Sequence, residues 1–249
     1  MNNANRYARQ QMIPEYQDLD KKLEQNRIAI VGSGGLGGLC TYLLVGAGAL
    51  NINIADYDTI DETNLHRQIL YREKDIGETK INCCKRELIE LDKRANIKTF
   101  AEKITEENFQ EFTKDCRLVL DLSDNIETRL ALNRLCFANR IDLIHASVTA
   151  ETALLAYFKF SDSKFIEEYG CYECLAGENA AIAKKGITGP FASAVSAFAA
   201  NLTMQVFTDR IKEKIGKIFL FDLNRFSIRS FSLNKSPLCK CCGDTKEVA

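Results

Sequence analysis

The sequence predicts an α/β fold: a Rossmann-like, mostly parallel sheet with helices on both faces, followed by an antiparallel C-terminal extension. Two observations carry that expectation. Up to Ala146, short β-rich runs alternate with segments of helical hydrophobic period, the pattern of a parallel sheet covered on both sides. At Thr152 a new strand signal follows the previous one with no helix between them, as in hairpin-connected strands.

The elements follow in order. Arg27–Val31 (RIAIV) is a short β-rich run ending at a glycine cluster, and Leu36–Val45 reads as a helix packed back onto it. Asn51–Ala55 (NINIA) is a second strand, alternating polar and apolar and ending at Asp56, which completes a βαβ unit. Lys80–Leu91 has helical spacing, Ile97–Ala101 is strand-like, Glu106–Phe112 is helical, and Leu118–Leu120 is a buried strand ending at Asp121. A helix over about Ile126–Asn139 and a strand at Leu143–Ala146 continue the alternation. Thr152–Phe160, Lys217–Asp222 and Arg225–Leu233 supply the antiparallel extension. Phe191–Phe207, alanine-rich and apolar nearly all round, suits a buried helix. No linker interrupts the chain, so residues 1–249 are expected to form one domain.

Composition narrows the function classes. The 249 residues are 46% hydrophobic with a formal net charge of −1, enough for a substantial core and without the basic surplus that nucleic acid or an anionic membrane would call for. No charged-then-apolar leader and no unbroken apolar span is present, so a cytoplasmic protein is expected. Ten cysteines in such a chain point to thiols or metal ligands rather than to a disulfide framework.

Gly32-Ser33-Gly34-Gly35-Leu36-Gly37 matches G-x-G-x-x-G directly after a strand and at the start of a helix, with Asp56 closing the next strand. Glycines let a phosphate approach the backbone, the helix N-terminus supplies donors and a positive dipole end, and the acid accepts from ribose hydroxyls. The pattern alone does not separate a dinucleotide from ATP.

Further groups lie along the chain: Arg6 and Arg9 in RYARQ, Asn64-Leu65-His66-Arg67-Gln68 after Asp58, Lys80, and Asp121-Leu122-Ser123-Asp124-Asn125. Taken singly these read as an exposed basic terminus, a solvated helix start and capping acids. In this order, from Arg6 to Gly243, they resemble the MoeB/ThiF/HesA family, bacterial relatives of the ubiquitin-activating enzymes. The resemblance implies a homodimeric adenylyltransferase that uses Mg-ATP to adenylate the C-terminal glycine carboxylate of a small ubiquitin-fold sulfur carrier (MoaD- or ThiS-like, ending in Gly-Gly), releasing pyrophosphate in molybdopterin or thiamine biosynthesis. It implies roles by position: Gly34 and Gly35 in the nucleotide loop, Asp56 on ribose, Asn64, Arg67, Lys80 and Asn125 around the nucleotide, and Asp124 at the magnesium. Arg9 matches the arginine that relatives insert into the neighbouring subunit's site. The implied chemistry is coherent, because a carboxylate attacking the α-phosphorus is already ionised near neutral pH and needs its charge cancelled rather than a general base.

Cys171-Tyr172-Glu173-Cys174 and Cys239-Lys240-Cys241-Cys242 form two cysteine hooks, a set that suits tetrahedral Zn²⁺. Cys241 also offers C-x-C spacing, and a redox disulfide between the hooks is the competing reading. The resemblance selects Cys239 and Cys242 with Cys171 and Cys174, leaving Cys241 a spare thiol. It completes the expected fold class with a structural zinc site. Cys40, Cys83, Cys84, Cys116 and Cys136 read as small packing residues.

One departure from the family stands out. Many relatives carry a cysteine four residues before the glycine matched here by Gly186, in a crossover loop. Ile182 takes that position, and no cysteine lies between Cys174 and Cys239. The expectation is adenylation only, with a separate sulfur donor completing the chemistry. Alternatives are a relative activating another carboxylate, peptide or tRNA-linked, a nicotinamide oxidoreductase, and a non-catalytic nucleotide-binding homologue.

Overall fold

A computed structural model describes residues 5–177 and 186–243. Its elements are α1 (Ala8–Gln11), α2 (Leu19–Glu24), β1 (Arg27–Val31), α3 (Gly37–Ala47), β2 (Asn51–Ala55), α4 (Lys80–Leu91), β3 (Asn96–Phe100), α5 (Phe109–Phe112) and β4 (Cys116–Asp121). They continue with α6 (Ile126–Ala138), β5 (Asp142–Thr149), β6 (Thr152–Phe158), α7 (Ser163–Glu168), α8 (Tyr172–Ala176), α9 (Gly189–Phe207), β7 (Lys217–Asp222) and β8 (Ser227–Ser232). The eight strands form one sheet in the order β3-β2-β1-β4-β5-β6-β7-β8. Pairings from β3 through β5 are parallel, and those from β5 to β8 are antiparallel. The predicted parallel sheet with an antiparallel extension is the observed architecture.

Each face of the sheet has its own core. On one, Ile28, Ile30, Ile52 and Ile54 pack with Leu44, Leu88 and Val195 from the helices. On the other, Val119, Leu143 and Phe158 pack with Phe112, Leu132 and Phe165. Both faces being covered explains why NINIA, despite its alternation, is not half exposed. Asn53 is 1% exposed, and its amide donates to the Phe112 carbonyl at 2.6 Å, the partner that makes burial of an amide tolerable.

Several boundaries differ from the sequence reading. The helix expected over Glu106–Phe112 shortens to α5, because the Asn108 side chain accepts from Thr105 N and donates to Lys103 O, holding that stretch in a turn. The last strand begins at Ser227 rather than Arg225, since Phe226 takes a positive φ in the turn after β7. β6 stops at Phe158, two residues short of Phe160. α9 starts two residues early, with Pro190 in its first turn where its fixed φ is favourable. It is not buried all round: Ala194, Ala197, Phe198 and Asn201 form an exposed stripe. No helix among the described residues is long and apolar enough to cross a membrane.

Candidate functional site

Strand order reverses direction between β1 and β4, each flanked by its own parallel neighbours. A crevice opens there at the carboxyl ends of the strands, the place where open α/β sheets bind ligands. A cleft occupies it, lined by Gly34, Gly35, Asp56, Tyr57, Arg67, Gln68, Lys80, Lys103, Asp124, Asn125 and Arg129 among others.

The glycine loop is built as the motif requires. Gly32 has a φ of +94°, and a β-carbon there would sit 2.8 Å from the Leu122 carbonyl oxygen, so only glycine makes this turn. At Gly35 a β-carbon would only touch the Arg67 stem, at 3.4 Å. Asp56 is tied to the loop: its Oδ2 accepts from Ser33 N at 2.7 Å and Ser33 Oγ at 2.9 Å, and its Oδ1 from Asp58 N at 2.9 Å.

The cations arrive from separate segments. Arg67 follows a short 3-10 turn (Glu62–Asn64) and donates to Asn64 Oδ1, to the Thr63 carbonyl and to His66 Nε2. Asn64 does not line the cleft itself; it reaches the site by orienting Arg67. Lys80 opens α4 and donates to Asp58 Oδ2 at 2.7 Å. Asp124 is exposed at the mouth. Asn125, rather than either acid, is the cap of α6, accepting from Thr128 N at 2.8 Å. Arg9 lies on α1, exposed and outside the cleft of its own chain, while Arg6 pairs with Asp92 at 2.9 Å.

Two residues that line the cleft carry polar atoms without a protein partner. Gln68 Oε1 and Arg129 Nε are buried without a hydrogen-bond partner, on side chains 5% and 4% exposed. Such orphans are costly unless a ligand or water meets them. Neither stands out in the sequence, although Gln68 adjoins Arg67. Tyr57 and Lys103 carry no sequence signal either; the Lys103 ammonium lies 5.3 Å over the Tyr57 ring at the lip, and the two residues come from different loops with no shared motif.

The cysteine hooks converge beside Asn133 of α6, with Cys174 on α8 itself. Cys171, Cys174, Cys239 and Cys242 place their sulfurs within 4.8 Å of one another, with 3.6 Å between Cys171 and Cys239 and 3.4 Å between Cys174 and Cys242. Sulfur edges of roughly 3.8 Å follow from tetrahedral Zn–S bonds of about 2.3 Å, so the group fits the ion. Cys241 stands beside the four, and Asn133 donates to both Cys171 and Cys241 at 3.3 Å. Thiol donors from Cys241 and Cys242 pull Cys171 toward the thiolate. Burial pushes the Cys40 thiol up to about 12 and Cys83 to about 11, as suits inert packing residues.

A glycine loop at the switch point, with an acid beneath it and cations from separate segments around it, defines an α/β nucleotide-binding protein. The ThiF family matches residues 7–241, and the chain belongs to that family. Molybdopterin-synthase adenylyltransferase of Escherichia coli is 28% identical over 243 residues, covering 96% of each chain. Sulfur carrier protein adenylyltransferase of Thermus thermophilus is 28% identical, covering 96% of this chain and 90% of its own. Adenylyltransferase and sulfurtransferase UBA4 of Meyerozyma guilliermondii is 31% identical over 98% of this chain, which spans 58% of that longer protein. In the crystal structure of E. coli MccB with ATP the same fold recurs, with a TM-score of 0.82 and 23% identity over 97% of this chain and 75% of that one. The chain is accordingly an adenylyltransferase.

Proposed function

We propose that the protein adenylates the C-terminal glycine carboxylate of a small ubiquitin-fold sulfur carrier ending in Gly-Gly, using Mg-ATP and releasing pyrophosphate, in molybdopterin or thiamine biosynthesis. One observation carries this reading: Asp56, Arg67, Lys80 and Asp124, from four separate segments, line one cleft together with the glycine loop. The names of the E. coli and Thermus relatives support the carrier as substrate.

In the proposed reaction a carrier carboxylate oxygen bonds to the α-phosphorus while the bond from that phosphorus to the pyrophosphate oxygen breaks. Two anions meet, so the site's work is to cancel charge and hold the partners in line. Arg67, with its fork oriented by Asn64, and Lys80 face the phosphates. Asp124 supplies the hard oxygen ligand that magnesium prefers, and Asp56 meets the ribose. Magnesium, when bound, neutralises phosphate charge. The cysteine cluster holds structural zinc, since four thiolates leave no open position for catalysis.

The proposal extends to a homodimer in the cytoplasm in which residues 1–249 form one domain and Arg9 acts on the partner's cleft. Supporting it, Arg9 makes no hydrogen bond or ion pair among the described residues, and apolar Met12, Leu43 and Phe198 are exposed. Ile182, at the family's loop-cysteine position, lies outside the described residues; from the sequence, the enzyme stops at the acyl-adenylate and a separate sulfur donor acts on it. ATP–pyrophosphate exchange tests the whole reading. Exchange should require a carrier ending in Gly-Gly, and its absence with every carrier of the host would refute the assignment.

A further inference from the structure

Behind the cleft lies a buried polar chain that the proposed phosphate chemistry does not use. Asp121 ends β4 and is 1% exposed. Its Oδ2 lies 2.7 Å from His145 Nδ1 on β5, and its Oδ1 accepts from Ser123 Oγ at 2.6 Å and Ser123 N at 3.2 Å. His145 is fully buried; its Nε2 lies 3.1 Å from Ser147 Oγ, and the Tyr172 ring of α8 packs against it at 4.4 Å between centroids. From α6, Arg129 donates to the Ser123 carbonyl at 3.0 Å.

The network reaches Ser123, and the next residue is the exposed Asp124. Ser123 has its amide, hydroxyl and carbonyl all engaged, and the residue after Asp124 is the α6 cap, Asn125. Asp124 therefore projects from a backbone fixed on both sides. We propose that His145 is a positioning residue: it keeps Asp121 turned toward Ser123, and so fixes the segment that presents Asp124 to the cation accompanying the nucleotide. This rests on the adenylation reading through the place given there to Asp124.

Burial opposes the Asp121 charge, yet the His145 ring and the Ser123 donors outweigh it and hold the carboxyl below the usual carboxylate range. An apolar residue at 145 would leave Oδ2 buried without its partner, and such a carboxyl protonates or turns away. Ser123 would then lose its anchor. Both ring nitrogens have a partner, Nδ1 at the Asp121 carboxylate and Nε2 at the Ser147 hydroxyl, so the ring is held in one orientation.

The test compares His145→Asn, whose amide can stand where Nδ1 does, with His145→Leu, which has no donor. Two measurements are made: the Mg²⁺ concentration for half-maximal ATP binding by calorimetry without carrier, and ATP–pyrophosphate exchange with carrier. His145→Leu should raise the Mg²⁺ requirement and lower the exchange kcat by about 10- to 100-fold, while His145→Asn stays within about threefold of the parent. A purely structural histidine would cost both variants thermal stability and leave the Mg²⁺ requirement unmoved; that result, or equal losses in both, overturns the proposal. If His145→Leu does not fold, His145→Gln replaces it, because its longer amide reaches the Nε2 position and should show the same loss. A parent that lacks exchange with every carrier, while Mg²⁺-dependent ATP binding still separates the variants, would sink the adenylation reading and support the role of His145. Normal exchange in the parent with no separation would do the reverse.

Discussion

Lys80 is held by Asp58: its Nζ lies 2.7 Å from Asp58 Oδ2, with the lysine side chain 7% exposed and the carboxylate 50%. The ammonium proposed to meet phosphate is thus already paired, and under that proposal ATP competes with Asp58 for it. Lys80→Met should lower pyrophosphate exchange by about 100-fold or more, as loss of a preorganised cationic donor does. Asp58→Asn removes the competitor and one anion from the lip, so its ATP dissociation constant should fall by about threefold, since the coupling of a half-exposed pair is weak. Calorimetric titration with Mg-ATP decides it; weaker binding by Asp58→Asn would mean that the aspartate helps hold nucleotide.

The cysteine cluster makes a second prediction. It joins the segment around Cys171 to the C-terminal hook, with Ser236 N also donating to Cys174 at 3.3 Å. The purified chain should contain one equivalent of zinc. Stripping it should cost about 3 kcal/mol or more, or roughly 6–12 °C in Tm for a chain of this size. Cys242→Ser should lose the metal and Cys241→Ser should keep it, read by atomic emission; the opposite pattern would move the ligand assignment to Cys241.

Much of this molecule is legible in its sequence because the βαβ core is built from local signals. RIAIV, the glycine run and NINIA each announce themselves within a few residues. α1, α2, α7 and α8 give no signal in the sequence because four to six residues are too few to display a 3.6-residue period. In the cleft, Asp56, Arg67, Lys80 and Asp124 stand at motif positions, whereas Arg129 is hidden in a helical pattern and Lys103 in a loop. His145 looks like one polar letter in an apolar strand. Its meaning comes from Asp121, 24 residues earlier, and only the pairing of β4 with β5 brings the two together.

Acid sensitivity follows from Asp92, at the end of α4. Arg94 grips it with Nη2 at 2.7 Å and Nε at 3.0 Å, and Arg6 adds a bond at 2.9 Å. The Arg94 hydrogen bond, with burial opposing it, holds the carboxyl below its usual range. A depressed folded pKa gives stability that is present above the unfolded value of about 3.9 and is lost as pH falls through the folded one. Melting temperature should decline below about pH 4. Arg94→Met should be less stable at pH 7 by about 1 kcal/mol and decline less steeply in acid; an unchanged acid slope would show that this pair does not contribute.

The proposed trans role of Arg9 can be separated from a role in its own chain by mixing subunits. Arg9→Ala and Arg67→Ala should each abolish exchange. In a mixed dimer, a trans arginine leaves one cleft with both defects and the other with none, so activity returns. With random exchange of subunits half the dimers are mixed and half their clefts are intact, which gives about a quarter of the parent activity for a two-fold symmetric assembly. An arginine serving its own cleft would leave every site in the mixture with one defect and restore nothing. Co-refolding equal amounts of the two variants and assaying exchange against each alone makes the measurement, and a mixture as inactive as its components would place Arg9 outside the partner's site.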